Sequence, residues 1–195
     1  IANGDWSSDV CSSDLVSLDT LSRKKFLKIT RRDDFEKVSM AIDKLVDLGV
    51  RVKINCLAIK EYNFDEIVKI AQYSKDNNID VRFIELMPIG YGKIYTGISN
   101  EVILGLLEEK YGQFEKVKEK RGNGPAVYYA NENFKGCIGF ISAISHEFCE
   151  TCNRVRLTSN GFLKLCLHYN KGIDLKEPLR SNISDEDLTN MIHDA

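Results

Sequence analysis

Strand-like and helix-like segments alternate between residues 15 and 87, and this order constrains the fold more than any other feature of the chain. The strand-like segments alternate apolar and polar residues, whereas the helix-like segments place apolar residues three and four positions apart. We predict strands at 15–19, 50–59 and 80–87, with helices at 33–48 and 64–77 between them. Strands joined by helices at this spacing pair in parallel through right-handed crossovers, so the sequence predicts an α/β fold.

Polar residues at the predicted helix starts support these boundaries. Asp33, with Glu36 three positions later, has the pattern of a capping box. Asn63 and Glu66 give the second helix a start of the same type. Gly49 follows the first helix at the position where a C-terminal cap glycine is expected.

Alternation within the strand at 50–59 predicts two chemically different faces. Lys53 and Asn55 fall on one face, whereas Val52 and Ile54 fall on the other. One face of this strand is therefore expected to be polar and the other apolar.

The regular pattern ends after residue 87, where a proline and two glycines interrupt it. Beyond this point we predict a helix at 100–110 and then short strand-like stretches separated by turns, which is typical of an α+β arrangement. We therefore expect one domain at 15–91 and a second domain at 92–195.

Residues 1–14, IANGDWSSDVCSSD, fit neither period and are rich in serine and aspartate. The segment also resembles a translated sequencing adapter. We interpret residues 1–14 as a foreign or disordered segment, and we leave Cys11 out of the candidate site.

Composition argues against several functional classes. The chain has 27 basic and 29 acidic residues and a formal net charge of −2, which argues against nucleic-acid binding through a broadly basic surface. No apolar run approaches the roughly 18 residues of a membrane span, and no signal segment opens the chain. We therefore expect a cytoplasmic protein whose six cysteines are thiols or metal ligands rather than disulfides.

A three-cysteine pattern near the C-terminal end is the strongest indication of chemistry. Two residues separate Cys149 from Cys152, and a predicted hairpin turn at 160–161 folds Cys166 back toward them. Three thiolates can hold a four-iron cluster whose fourth iron stays open for a ligand. They can also form a structural zinc site, for which His168 could supply the fourth ligand. The spacing alone does not decide between these two sites.

Two arginines beside the cysteines favour the cluster. Arg154 and Arg156 occupy alternate positions of a strand predicted at 154–158, so their side chains are expected on one face. Guanidinium groups bind phosphate through paired hydrogen bonds, whereas a structural zinc site does not require them. We therefore predict a metal site that also binds an anionic ligand.

Residues 148–167, FCETCNRVRLTSNGFLKLCL, closely resemble the C-terminal cluster segment of the GTP 3′,8-cyclase family. These radical S-adenosylmethionine (SAM) enzymes act in molybdenum cofactor biosynthesis. Three upstream segments, VSLDTL, VRVKINCLAIK and VRFIELMPIG, are similar to the same family and occur in the same order. The resemblance extends over about residues 15–195. It implies the C-terminal part of a partial radical-SAM barrel of the TIM type, followed by an iron–sulfur domain.

The resemblance also implies roles for individual residues. A [4Fe-4S] cluster, whose open iron binds the guanine of GTP, would be held by Cys149, Cys152 and Cys166. Further contacts with GTP would come from Lys53, Arg82, Arg154, Val155 and Arg156. Ser17 and Met87 match positions that line the SAM site.

The family's reaction combines these ligands. A deoxyadenosyl radical derived from SAM abstracts hydrogen from the ribose of GTP, and ring closure onto guanine C8 gives 3′,8-cyclo-7,8-dihydro-GTP. The resemblance further implies a homodimer that passes its product to the cyclic pyranopterin monophosphate synthase.

Two parts of the family's pattern are absent from this sequence. One is the Cys-x3-Cys-x2-Cys loop that holds a second [4Fe-4S] cluster, and the other is a tail that ends in paired glycines. Cys56 and Cys137 stand alone in apolar segments and are predicted to be buried. We expect the isolated chain not to turn over GTP, and SAM-dependent formation of deoxyadenosine would contradict this expectation.

Two other interpretations remain open from the residues. One is a zinc-stabilised structural or interaction module that uses the three cysteines and His168. The other is a different radical SAM enzyme with an auxiliary cluster. Metal analysis and visible absorption separate zinc from an iron–sulfur cluster.

Overall fold

The computed structural model describes residues 13–119, 121, 124–145, 152 and 154–195. The chain divides into two compact units, Ile1–Phe148 and Cys149–Ala195. Each unit has a sheet of its own. None of the described helices is both long and apolar enough to cross a membrane.

The first unit alternates strands and helices over most of its described length. Its strands are β1 (Ser13–Ser17), β2 (Arg51–Ala58), β3 (Ile79–Glu85), β4 (Glu115–Lys116), β5 (Val127–Ala130) and β6 (Ile138–Ile141). Its helices are α1 (Arg23–Thr30), α2 (Phe35–Asp47), α3 (Lys60–Asn63), α4 (Ile67–Asp76) and α5 (Asn100–Tyr111). Short 3-10 helices occur at Phe64–Glu66 and Gly90–Ile94.

These strands form one sheet in the order β1-β2-β3-β6-β5-β4. The pairs β1–β2, β2–β3 and β3–β6 are parallel, whereas β6–β5 and β5–β4 are antiparallel. The connections from β1 to β2 and from β2 to β3 contain helices, as parallel neighbours require. The predicted α/β class with a mainly parallel sheet is confirmed.

The two faces of this sheet differ in chemistry. Every second residue of β2 is fully buried, and these residues are Val52, Ile54, Cys56 and Ala58. They share one apolar core with Ile42 of α2 and Ile70 of α4. The intervening residues of β2 stay partly accessible, so the prediction that Lys53 and Asn55 lie opposite Val52 and Ile54 is confirmed.

The first predicted helix begins later than expected and with a different capping residue. Asp34 occupies the N-cap of α2, and its side chain makes no capping hydrogen bond. Asp33 instead accepts hydrogen bonds from Nε and Nη2 of Arg23 at 2.7 and 2.6 Å. The predicted capping box with Glu36 was wrong, because an arginine of α1, a helix that the sequence pattern did not indicate, engages Asp33.

The second predicted helix is divided into α3, a 3-10 turn and α4, and Asn63 does not begin it. The buried amide of Asn63 donates to the carbonyl oxygens of Leu57 and Asp19, both at 2.8 Å. Its Oδ1 accepts the backbone N–H of Ile59 at 2.9 Å. Asn63 therefore joins the chain segments that follow β1 and β2.

Glu66, expected to complete the start of that helix, instead binds the loop after β1. Its Oε2 accepts the hydroxyl of Thr20 at 2.6 Å and the backbone N–H of Leu21 at 2.7 Å. Its Oε1 lies 2.7 Å from Nζ of Lys25. The buried carboxylate thus connects α1 and its preceding loop to the start of α4.

The second unit contains a small antiparallel sheet of β7 (Arg156–Leu157), β8 (Phe162–Lys164) and β9 (Gly172–Asp174). Helices α6 (Lys176–Arg180) and α7 (Asp185–His193) follow. The predicted hairpin is confirmed, and Gly161 in its turn has φ +87°, a conformation that favours glycine. Ser184 caps α7 by accepting the backbone N–H of Asp187 at 3.1 Å.

Candidate functional site

The face of the first sheet opposite the helices carries polar side chains on three adjacent strands. Ser17 of β1 lies in register with Asn55 of β2, which lies in register with Arg82 of β3. Lys53 is in register with Asp80 in the same way. Residues in register on paired strands point to the same side of a sheet. The structure therefore brings Ser17, Lys53 and Arg82 onto one surface, the polar face, and adds Asn55 and Asp80.

A neutral side chain holds Arg82 on the polar face. The Nε of Arg82 donates to Oδ1 of Asn55 at 2.7 Å. Gly139 of β6 leaves room for the arginine, because a Cβ there would lie 2.9 Å from Cγ of Arg82 and 3.0 Å from Cε1 of Tyr128. Burial raises the pKa of Tyr128, and the nearby positive charge of Arg82 opposes that rise.

A second arginine compensates the acidic residue of the polar face. The buried Oδ1 of Asp80 accepts a hydrogen bond from Nη1 of Arg121 at 2.7 Å and from the backbone N–H of Cys137 at 3.1 Å. Within the described parts of the chain, neither Lys53 nor Arg82 has a carboxylate at ion-pair distance. The charges of these two side chains are therefore available to an anionic ligand.

Ser17, Asp19 and Met87 lie at or beyond the carboxyl ends of β1 and β3, the edge where α/β sheets bind ligands. Ser17 and Met87 are the two residues predicted to line the cofactor site. Asp19 was not predicted to contribute, and its Oδ1 accepts the backbone N–H of Leu57 at 2.7 Å. Burial raises the pKa of Asp19, and the hydrogen bond from Leu57 only partly opposes this rise.

Glu85, the last residue of β3, anchors the chain segment that precedes the cysteines. Its Oε2 accepts the backbone N–H groups of Ile144 and Ser145, both at 3.0 Å, and its Oε1 accepts the hydroxyl of Ser145 at 2.5 Å. The N–H of Asn100, at the start of α5, lies 3.5 Å from Oε1. Sequence reasoning missed this anchor because its partners are 15 to 60 positions away.

Two of the three predicted metal ligands are described in the second unit. Cys152 is exposed and Cys166 is half-buried, whereas Cys149 lies outside the described residues. The Sγ of Cys166 accepts the backbone N–H of Tyr169 at 3.5 Å. His168 is exposed, and its ring meets that of Tyr169 edge-on at 4.9 Å. Among the described residues no three possible metal ligands come together.

Arg154, Val155 and Arg156 are all exposed in the second unit. Strand β7 begins only at Arg156, so the strand predicted at 154–158 is shorter than expected and Arg154 precedes it. The alternation argument for placing both arginines on one strand face therefore no longer applies. Arg156 of β7 lies in register with Lys164 of β8, so a lysine is the cross-strand neighbour of this arginine.

The buried carboxylates of Glu66 and Glu85 are expected to make folding sensitive to acid. Burial raises the pKa of each, but hydrogen bonds outweigh burial and hold both pKa values below the ordinary glutamate value. The donors are Lys25, Thr20 and Leu21 for Glu66, and Ser145, Ile144 and Asn100 for Glu85. The contribution of the two ionised carboxylates to the free energy of unfolding is complete above the unfolded-state pKa. It is lost as pH falls through their folded-state pKa values.

Urea denaturation at a series of pH values between neutrality and acid measures this dependence. Glu66→Gln and Glu85→Gln should each reduce the loss of unfolding free energy as the solution is acidified. Asp19→Asn is the opposing control, because the raised pKa of Asp19 makes the folded chain take up that proton first, and its removal should steepen the loss. An unchanged dependence in both glutamine variants would contradict the argument.

Comparison of the sequence with known proteins finds relatives among biosynthetic enzymes. A protein named GTP 3′,8-cyclase from Clostridium perfringens (strain 13 / Type A) is 46% identical over 177 residues, which cover 91% of this chain and 55% of the relative. The GTP 3′,8-cyclase of Desulforamulus reducens is 43% identical over 183 residues, covering 92% and 56%. Molybdenum cofactor biosynthesis protein 1 of Drosophila melanogaster is 40% identical over 183 residues, covering 91% and 32%.

The chain spans about half the length of these two bacterial relatives. A family model described as Molybdenum Cofactor Synthesis C matches residues 79–195. The matched range begins at the first residue of β3 and includes Arg82, Met87 and the entire three-cysteine segment.

Proposed function

Because this chain belongs to the Molybdenum Cofactor Synthesis C family, we propose that it forms part of a GTP 3′,8-cyclase. The observation that carries the proposal is the 46% identity to a protein of that name over 91% of the chain. In this function the chain contributes to the SAM-dependent conversion of GTP to 3′,8-cyclo-7,8-dihydro-GTP, an early compound of molybdenum cofactor biosynthesis.

The proposed ligands of a [4Fe-4S] cluster are Cys149, Cys152 and Cys166. The donor chemistry fits, because the described thiols of Cys152 and Cys166 are accessible and the N–H of Tyr169 is directed at the sulfur of Cys166. Hydrogen bonds to ligating sulfur are among the factors by which a protein tunes such a cluster. When bound, the cluster supplies an open iron for the guanine of GTP.

In this proposal, basic side chains bind the remainder of GTP. Lys53 and Arg82 offer charges that no described carboxylate neutralises, and guanidinium and ammonium groups are suited to phosphate oxygens. The exposed segment Arg154, Val155 and Arg156 supplies further contacts. Electrostatic positioning of this kind is the main contribution a protein makes when a cofactor supplies the reactive species.

Strands β1, β2 and β3 of the first sheet are a segment of a partial TIM-type barrel in this proposal. Helices cover one face, and the polar face supplies side chains of the kind that an enclosed ligand site needs. Residues 15–91 belong to the barrel and residues 92–195 to the cluster domain. Ser17 and Met87, at the carboxyl edge, line the site of SAM, which supplies the radical chemistry when bound.

We further propose that the enzyme acts in the cytoplasm as a homodimer. Its product passes to the cyclic pyranopterin monophosphate synthase. The relationship to named cofactor biosynthesis proteins supports this assignment to a pathway.

Anaerobic reconstitution with iron and sulfide, followed by equilibrium dialysis against GTP, tests the proposal. We expect a brown chain with about four irons and GTP binding that is weaker without iron. A colourless chain that binds zinc one-to-one would contradict the cluster and support the zinc module. In that case His168→Ala would release the metal, whereas the same substitution leaves a three-cysteine cluster in place.

A further inference from the structure

We infer that Asn55 is a positioning residue that presents the charge of Arg82 to the triphosphate of the substrate, an inference that rests on the function proposed above. Its amide oxygen accepts the Nε–H of Arg82 at 2.7 Å. A guanidinium has five N–H donors, so this bond leaves the four on its Nη atoms for other acceptors, which are the nearby hydroxyl of Tyr128 and a ligand.

The neutrality of Asn55 is the central point. An aspartate at this position could accept the same hydrogen bond, but its charge would neutralise the arginine. Arg121, in the connection between β4 and β5, shows that arrangement, because it pairs with the carboxylate of Asp80 at 2.7 Å. The charge of Arg121 is therefore compensated within the protein by Asp80 of the polar face, whereas Arg82 is positioned by a neutral partner.

The surroundings of Arg82 restrict its side chain further. Gly139 lies in register with Arg82 and has no side chain to displace it, while the ring of Tyr128 borders the same space. A Cβ at Gly139 would lie 2.9 Å from Cγ of Arg82, so the aliphatic part of the arginine already fills the available room. With Nε bound and its stem enclosed, Arg82 binds a ligand with little further loss of conformational freedom.

The ligand class follows from this chemistry. A partly buried, uncompensated guanidinium favours an oxyanion with two acceptor oxygens, and both phosphate and carboxylate qualify. GTP carries the first and SAM carries the second. The neighbouring Lys53, in register with Asp80 on the same face, adds a second cation without a described ion-pair partner and so favours the multiply charged triphosphate.

Dissociation constants of GTP, guanosine and SAM for the reconstituted chain and its variants test this inference. Asn55→Asp should raise the Kd of GTP about tenfold or more, the equivalent of one charge-assisted hydrogen bond, and leave guanosine unchanged. Asn55→Ala leaves the charge of Arg82 uncompensated and removes only the hydrogen bond that orients its guanidinium, so its effect should be smaller. Asn78→Asp, at an exposed position, is the control for the added negative charge.

A double-mutant cycle shows whether Asn55 acts through Arg82. In an Arg82→Ala background, Asn55→Asp should cause no further loss of GTP binding. A full additional loss, or a Kd in Asn55→Asp equal to that of the unaltered chain, would overturn the inference. Loss of SAM binding with GTP binding intact would overturn it in favour of the carboxylate. Failure of the unaltered chain to bind GTP would instead remove the proposed function, and this inference with it.

Discussion

Replacing Cys166 with alanine is expected to lower the iron content of the reconstituted chain from about four per molecule to almost none. A cluster held by three thiolates has no spare protein ligand, and the loss of one leaves two irons without protein ligands. The brown absorption and the iron-dependent part of GTP binding should disappear with the metal. Iron and sulfide analysis, visible spectroscopy and equilibrium dialysis against GTP measure these three effects.

Cys137→Ala is the matched control for this change. Cys137 is a buried thiol of the first unit, and burial raises its pKa above the ordinary thiol value. Its removal deletes one cysteine from the chain but should leave iron content and colour unchanged. Retention of the cluster by Cys166→Ala, or equal loss in both variants, would show that the ligands have been wrongly assigned.

Replacing Phe83 with alanine is expected to reduce the free energy of unfolding by about 4 kcal/mol, because it removes a fully enclosed aromatic side chain and leaves a cavity. Phe83 of β3 is 0% exposed, lies in register with Phe140 of β6, and stacks on it with ring centroids 6.2 Å apart. This pair joins the first three strands of the sheet to β6. Urea denaturation followed by circular dichroism measures the change.

The control for Phe83→Ala is Phe64→Ala, the same substitution at a side chain that is 42% exposed. Its unfolding free energy should fall by about half as much or less, since a large part of this side chain is already in water in the folded chain. Similar losses in the two variants would mean that the β3–β6 contact does not contribute to the core as its burial indicates.

Local sequence patterns correctly predicted those features of the fold that depend only on residues close together in the chain. Alternation along β2 correctly separated Lys53 and Asn55 from the buried side chains, and the turn chemistry around Gly161 identified the hairpin that precedes Cys166. Helix α1 escaped prediction because Phe26 is its only buried residue, so its eight residues contain no apolar stripe. The capping error at Asp33 has the same origin, since Arg23 belongs to that unpredicted helix.

The parts of the candidate site that could not be predicted depend on distant pairings. The bond between Asn55 and Arg82 follows from the register of β2 and β3, and the space left by Gly139 follows from the placement of β6 beside β3. The hydrogen bonds of Glu85 also depend on distant residues, because its carboxylate oxygens accept from Ser145, which is 60 positions later. Sequence motifs contained these residues but could not show which of them meet.

The insertion of β6 between β3 and β5 has a consequence for how the protein is made. Strand β3 ends at Glu85 and β6 begins at Ile138, so roughly 50 further residues must be synthesised before β3 gains its second neighbour. At a translation rate of roughly 5–20 residues per second, the edge of β3 stays unpaired for several seconds on the ribosome. This edge belongs to a strand that is mostly buried in the folded chain, and it is open to pairing with other nascent chains during that interval. Slower initiation of synthesis leaves fewer nascent chains in this state at one time and should therefore raise the soluble yield, through kinetics rather than through any change in the folded protein.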